Sequence, residues 1–181
     1  SLNRFIKKEI LILGQSEKIK ANIGLLKKYI KTNKPLVLSL NYNRIVPQKL
    51  IDYYVISNEE RAILDKENYK KIYKPIITSN IINNNFLGEK NTSYIYNLKI
   101  KENVIKINKE NCTLFDNHVF GYALAVLLSK NIHNYSVFGI DINKKNKKDF
   151  YRMAEILSKF KNKYKKIKFK IILQSSIEFN A

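Results

Sequence analysis

The strongest constraint on the fold of this chain is an alternation of short apolar runs with amphipathic helical segments. Residues 9–13 form an almost wholly apolar run that ends at Gly14, and a helix with lysines on its outer face is predicted over residues 17–31. A run without polar alternation is typical of a strand buried on both faces of a parallel sheet. A second run at residues 36–40 follows, so the chain opens with a β-α-β unit.

The same alternation continues to the end of the chain. Further strands are predicted over residues 53–57, 76–79, 92–96, 135–138 and 168–173, and helices over 59–69, 118–130 and 148–162. Residues 80–90 read as an exposed loop, and residues 100–111 fit neither a helix nor a strand clearly. The pattern predicts an α/β fold, a Rossmann-like three-layer sandwich whose mostly parallel sheet carries helices on both faces. At 181 residues we expect a single domain over residues 1–181.

Bulk features of the sequence favour a cytoplasmic location. No apolar stretch approaches the roughly 18 residues of a membrane span, and charges interrupt the start of the chain where a signal peptide would be apolar. The single Cys112 has no partner for an internal disulfide, which is typical of a reducing compartment. The chain opens with Ser1, and its one methionine is Met153, so we expect a fragment of a longer protein.

The formal net charge of +19 raises the hypothesis of a nucleic-acid-binding module. However, only four of the 34 basic residues are arginine, the residue that base-reading proteins prefer for its bidentate fork. The lysines accompany abundant asparagine, isoleucine and tyrosine, a mixture typical of compositional bias at surface positions. Nucleic acid is therefore the less favoured partner, and contact with a membrane surface or an anionic ligand stays open.

Polar residues follow each of the first four predicted strands. Because parallel strands end at a common edge, these residues predict a polar crevice there, suited to a nucleotide or a sugar. The first turn would offer free backbone N–H groups and a helix N-terminus to a phosphate. The alternative is that these residues only make turns and cap helices. The candidate ligand-binding residues are Gly14, Gln15, Ser16, Asn41, Asn43, Ser57, Asn58 and Asn80.

Two further positions are candidates for catalysis. His118 follows Asp116 and Asn117, and a histidine beside a carboxylate can act as a general base. Asp141 ends a predicted strand, where it would contact substrate or a metal. Asn117 is added to the ligand-binding set, although Asp116 or Asn117 would also serve as a helix cap and Asp141 as a turn residue. No metal-ligand spacing, Walker A loop, G-x-S-x-G or H-E-x-x-H motif is present, and the sequence leaves the cofactor open.

The order of these motifs resembles the bacterial sialyltransferase-like family. It is more similar still to the related domain that follows an aldolase barrel in some proteins of bacterial surface-polysaccharide synthesis. The likeness spans residues 10–179 through short motifs. These are the turn at residues 14–16, the strand ends at Asn41 and at residues 57–58, the segments 120–125 and 137–141, and the tail at 172–176.

This resemblance implies a nucleotide- or nucleotide-sugar-binding domain of an enzyme of capsule or lipopolysaccharide synthesis. Gly14, Ser16, Asn41 and Asn58 are the positions that correspond best, and a covalently linked aldolase domain is the implied partner. The alternative hypothesis is an active glycosyltransferase with His118 as base and Asp141 as a substrate or metal contact.

Overall fold

A computed structural model describes residues 9–83, 85, 87, 92–140 and 147–173. Its centre is a seven-stranded, all-parallel sheet in the order β10-β9-β1-β2-β3-β4-β5. The strands are β1 (Ile10–Leu13), β2 (Leu36–Leu40), β3 (Tyr53–Ile56), β4 (Ile76–Thr78), β5 (Ser93–Ile95), β9 (Asn134–Phe138) and β10 (Lys168–Ile171). Helices flank the sheet, so the predicted Rossmann-like α/β fold is confirmed.

The central strands are buried on both faces, as their unbroken apolar runs require. In β1, Ile10 and Ile12 belong to one hydrophobic cluster, whereas Leu11 and Leu13 belong to the other. The period of two residues in a strand places successive side chains on opposite faces. The edge strand β10 behaves differently, because only Phe169 among its four residues is buried. Unbroken apolar runs therefore mark the central strands of the sheet. A strand in which polar and apolar residues alternate marks its edge.

Two groups of helices cover the two faces. The first face packs on α1 (Lys18–Ala21), α2 (Ile23–Asn33), α3 (Glu59–Leu64) and α4 (Lys66–Tyr69), and the second on α5 (Val119–Leu128) and α6 (Lys147–Lys163). Every residue of α5 is buried, since the helix contacts the central strands, α6 and a second small sheet. A helix that is apolar all round can only be stable in such an interior position.

The ambiguous stretch around residues 100–111 contributes to this second sheet. Its strands are β6 (Asn97–Ile100), β7 (Lys106–Ile107) and β8 (Asn111–Leu114), in the order β6-β8-β7 with β7 antiparallel to β8. The strands are short and half-exposed, so their hydrophobic pattern is weak. This explains why periodicity alone did not identify them.

Two predicted helices are interrupted. The helix expected over residues 17–31 is split at Asn22, and the one expected over 59–69 is split at Asp65. Both residues leave helical geometry, with φ near −110° and ψ near +15°. At Asp65 the break coincides with a buried carboxylate that contacts Arg44, 21 residues earlier in the chain, and Arg61 on the same helix.

The direction of winding reverses between β1 and β9. From β1 the chain builds outward through β2 to β5, whereas β9 and β10 add on the other side. Doubly wound sheets bind ligands at such a switch point, outside the carboxyl ends of the strands. Among the described residues, none of the helices has both the length and the apolar character needed to cross a bilayer.

Candidate functional site

The parallel register brings the ends of β1, β2 and β3 to one edge of the sheet, which we call the carboxyl edge. A cleft of about 490 Å³ opens there, and it is called the main cleft below. Of the residues proposed from the sequence, four line it: Gln15, Asn41, Asn58 and His118. Asp141 lies outside the described residues.

In the first β-α turn, two of the amides that we predicted for a phosphate are bonded within the protein. Gly14 N donates to Phe138 O at 2.9 Å, and Ser16 N donates to Gly139 O at 3.0 Å. These bonds join the turn after β1 to the turn after β9 and close the switch point. The helix that follows, α1, has four residues, so its dipole is weak. Ser16 Oγ accepts from Lys18 N at 3.2 Å, a local turn contact, while the N-cap position of α1 is Glu17.

Asn43 holds two loops together. It is 3% exposed, and its Nδ2 donates to Gly14 O at 2.8 Å. Its Oδ1 accepts from Ile45 N and Val46 N at 3.0 and 2.9 Å. These bonds give the Asn43 amide a structural role, and its contact with a ligand stays a prediction.

Three other predicted ligand residues also have structural partners. Ser57 is buried and its Oγ donates to Asn117 O at 2.7 Å. Asn117 Oδ1 accepts from Arg152 at 2.9 Å. Asn80 Oδ1 accepts from Leu98 N at 2.7 Å and so connects the main sheet to the second sheet. These partners are distant in sequence, which is why the residues read as free polar strand ends.

Asn41 differs from these residues. Its backbone is left-handed, with φ at +57°, a conformation that asparagine tolerates better than most side chains. Within the described part of the chain, its buried Oδ1 has no hydrogen-bond partner. Asn58 caps α3 through a bond from Arg61 N at 3.0 Å to Oδ1. The cap uses the side-chain oxygen of Asn58, so the Nδ2–H groups of the same side chain remain for a ligand.

His118 lines the main cleft as a hydrogen-bond donor. It is the N-cap of α5, and its Nδ1 accepts from Phe120 N at 3.2 Å. The neutral ring then carries its proton on Nε2. Burial, helped by the charge of Arg152, lowers the pKa of His118 to about 4. A ring held in this tautomer does not fit the general base that we predicted, because neither nitrogen is free to take a proton.

Arg152 supplies a second wall of the cleft and is tied to Asp116. The guanidinium forms a two-pronged pair with this carboxylate, with Nε at 2.6 Å from Oδ2. Burial raises the pKa of Asp116, but the hydrogen bonds and charge of Arg152 outweigh it and leave the pKa below its usual value. The predicted pairing of Asp116 with the His118 ring is therefore replaced by the pair with Arg152. Asp116 contacts His118 through the backbone, accepting from its N–H at 2.6 Å.

Arg61 stands on α3 beside a buried acid. Asp65 is 1% exposed, and two arginines reach it. Arg44 Nη2 lies 2.7 Å from Oδ1, while Arg61 Nε makes a 3.1 Å ion-pair contact with Oδ2 that is not aligned as a hydrogen bond. Arg61 Nη2 also reaches Gln15 Oε1 at 3.4 Å. One carboxylate thus positions two guanidiniums at the carboxyl edge.

Sequence reasoning missed the arginines. The chain has four, of which Arg44, Arg61 and Arg152 lie at this edge, and Arg4 lies outside the described residues. Every other basic residue of the chain is lysine. The scarcity of arginine was therefore a sequence signal that could have marked these positions. Arginine forms planar, bidentate contacts that lysine cannot. The rest of the cleft wall is made by Glu60, Leu64, Val119 and Asp149, which no motif marks.

A larger groove of about 590 Å³ lies at the opposite edge of the sheet, where β1, β9 and β10 begin. Its deepest polar groups bind one another, since Ser136 Oγ donates to Glu9 Oε1 at 2.5 Å and lies 2.9 Å from the Tyr29 hydroxyl. His133 also lines the groove, and within the described part of the chain its buried Nδ1 has no hydrogen-bond partner. Over the described residues, no group of three or more histidine, cysteine, aspartate or glutamate side chains is arranged to hold a metal ion.

Comparison with known proteins identifies no relative: no family model, curated protein or solved structure matches this chain. The chemistry of the main cleft therefore bears most directly on function. Its walls present carboxamides, one imidazole, two guanidiniums and the carboxylates of Glu60 and Asp149. Such a set can bind and orient a polar ligand with hydroxyl and anionic groups.

Proposed function

We propose that this domain binds a nucleotide or a nucleotide-activated sugar in the main cleft, as part of a bacterial enzyme of capsule or lipopolysaccharide synthesis. The observation that carries the proposal is the meeting of Asn41, Asn58 and His118 with Arg61 and Arg152 at the carboxyl edge. The biosynthetic setting, including a linked aldolase domain, derives from the family resemblance described above.

The position of the cleft supports a nucleotide. It lies outside the carboxyl ends of β1, β2 and β3, and β1 is one of the two strands between which the strand order reverses. Open parallel sheets bind mononucleotides and dinucleotides outside the carboxyl ends of their strands, near that reversal. Its volume of about 490 Å³ is within the range typical of pockets for ligands of this size.

The state of the polar groups gives further support. Asn41 Oδ1 is buried and, among the described residues, lacks a donor, which is costly unless a ligand or water supplies one. The Nε2–H of His118 and the amide N–H groups of Asn58 are donors on the same wall. Donors and acceptors close together match the edge of a base or the hydroxyls of a ribose or hexose.

The geometry favours binding over catalysis by this domain. His118 is held as a donor by Phe120 N, so glycosyl transfer with His118 as base has no support from its contacts. The proposal is therefore a binding function, with the chemical step located elsewhere in a larger enzyme.

Titration of the labelled domain with CMP, UMP and UDP-glucose, followed through its amide resonances, tests the proposal. We expect shifts at Gln15, Asn41, Asn58 and His118, and none at His133 and Lys168 on the opposite edge. Asn41→Gly should weaken binding. Asn131→Gly is the matched control, because Asn131 is also left-handed, with φ at +59°, but lines the other groove.

Silence of the cleft amides with all three ligands would overturn the proposal. Binding of oligonucleotides with a steep salt dependence, without response to mononucleotides, would replace it with the nucleic-acid hypothesis.

A further inference from the structure

We propose that the phosphate of the bound nucleotide lies in a separate subsite formed by Arg44 and Arg61, and not at the first β-α turn. This assignment rests on the proposed function and deepens it, because it fixes which end of the ligand enters which cavity. We call the subsite the arginine pocket. It is a cavity of about 210 Å³ between residues 42–45 and α3.

The arginine pocket adjoins the main cleft. Gln15 and Arg61 line both cavities, so these two side chains form the wall between them. Gln15 is fixed at both ends of its amide, since Nε2 donates to Tyr42 O and Oε1 accepts from Arg61. A ligand that extends past Gln15 and Arg61 can therefore place one part in the main cleft and a chemically different part in the arginine pocket.

The charges of the arginine pocket favour an anion. Arg44 and Arg61 share the single carboxylate of Asp65, which leaves one uncompensated positive charge. Glu17 also lines the pocket, but it is paired with Lys20 at 2.7 Å and does not cancel that charge. Each guanidinium has five N–H donors, and the described contacts of Arg44 and Arg61 use only some of them.

The first β-α turn, where doubly wound folds commonly bind phosphate, is a poorer site in this chain. The N–H groups of Gly14 and Ser16 are bonded to the turn after β9. The arginine pocket lies next to that turn and offers charge-assisted donors in place of the amides.

The main cleft is closer to neutral. Arg61 and Arg152 line it together with the carboxylates of Glu60 and Asp149, and Arg152 is paired with Asp116. A phosphate gains less there than in the arginine pocket, whereas the hydroxyls of a nucleoside or hexose can bind both carboxylates and amides. The phosphate should therefore face Arg44, with the uncharged part of the ligand facing Asn41, Asn58 and His118.

Calorimetric titration of UMP and of uridine separates the two cavities. The wild-type domain should bind UMP more tightly than uridine. Arg44→Gln should weaken UMP about tenfold and leave uridine unchanged, because the variant removes one charge-assisted contact to phosphate. Lys168→Gln is the matched control, since it removes the same charge from the opposite edge and should change neither ligand.

Arg44 is a suitable target because its side chain is 69% exposed and Asp65 keeps Arg61 as a partner, so the variant should fold. Inorganic pyrophosphate gives a second readout. It should shift the amides of residues 42–45 in the wild type and not in Arg44→Gln.

The possible failures are distinguishable. Equal affinity of the wild type and Arg44→Gln for UMP, with no pyrophosphate shift at residues 42–45, overturns the arginine pocket and leaves nucleotide binding intact. Absence of binding by UMP and uridine, together with silence of the cleft amides toward CMP and UDP-glucose, overturns the proposed function. Pyrophosphate shifts that survive Arg44→Gln also contradict the assignment.

Discussion

Gly14 and Gly139 are in backbone contact at the switch point of the sheet. A Cβ atom built on Gly14 would lie 2.2 Å from Gly139 O and 2.7 Å from the Cα of Ile140. Gly139 itself has φ at +64°. The two glycines therefore permit the turns after β1 and β9 to form the hydrogen bonds that close the switch point.

Gly14→Ala should destabilise the domain by about 3 kcal/mol, because the clash is with backbone atoms that cannot rotate away. Urea unfolding followed by circular dichroism measures the loss. Gly24→Ala is the control, since nothing lies within 4 Å of a Cβ at that helical position. It should stabilise the domain by about 0.5 kcal/mol. Equal stability of the two variants would contradict the close contact.

Asn43→Asp should also cost about 3 kcal/mol. The substitution keeps an acceptor for Ile45 N and Val46 N but replaces the donor to Gly14 O by a buried oxygen. The exposed Asn97 provides the comparison, because Asn97→Asp makes the same chemical change in water and should stay within about 0.5 kcal/mol of the wild type. A loss at Asn43 no greater than at Asn97 would argue that Asn43 is free for a ligand after all.

Replacement of Asn41 separates backbone strain from ligand contact. Asn41→Ala should be less stable than Asn41→Gly by about 1 kcal/mol, because only glycine adopts φ of +57° without cost. Both variants lose the unpartnered Oδ1, so both should bind nucleotide more weakly. Unfolding curves and calorimetric titrations of the pair measure the two effects. Tight nucleotide binding by Asn41→Gly would remove Asn41 from the site.

The pKa of His118 predicts a loss of stability in mild acid. Its pKa is about 4 when folded, against an ordinary value of 6.5, so the unfolded chain binds the proton more readily. The stability that the neutral ring contributes is complete above pH 6.5 and is lost as the pH falls toward and below 4, by about 3 kcal/mol in total.

Unfolding free energies measured between pH 4 and pH 8 test this expectation. His118→Asn is the informative variant, because asparagine can cap α5 without titrating in that range. The variant should lose less stability between pH 7 and pH 5 than the wild type. Identical pH profiles would mean that His118 is not the group responsible.

Local pattern determined much of the fold. The run Leu36–Leu40 has no polar face, so it could be stable only in a strand covered on both sides, and its predicted bounds match β2. The helix breaks at Asn22 and Asp65 were not predictable in the same way. Asp65 ends α3 while its carboxylate contacts Arg44, 21 residues earlier in the chain.

At the candidate site, Asn41 and Asn43 show most clearly what the sequence determines and what only the tertiary structure determines. The sequence by itself determined that polar side chains follow β2 and that they lie at the carboxyl edge, because strand direction follows from the β-α-β pattern. Only the tertiary structure decided which of the two is available. Asn43 is occupied because its amide meets Gly14 O, 29 residues away, whereas Asn41 meets no described donor. Hydrogen-bond partners of this kind depend on distances between loops. The hydrophobic pattern that specifies the strands does not determine those distances.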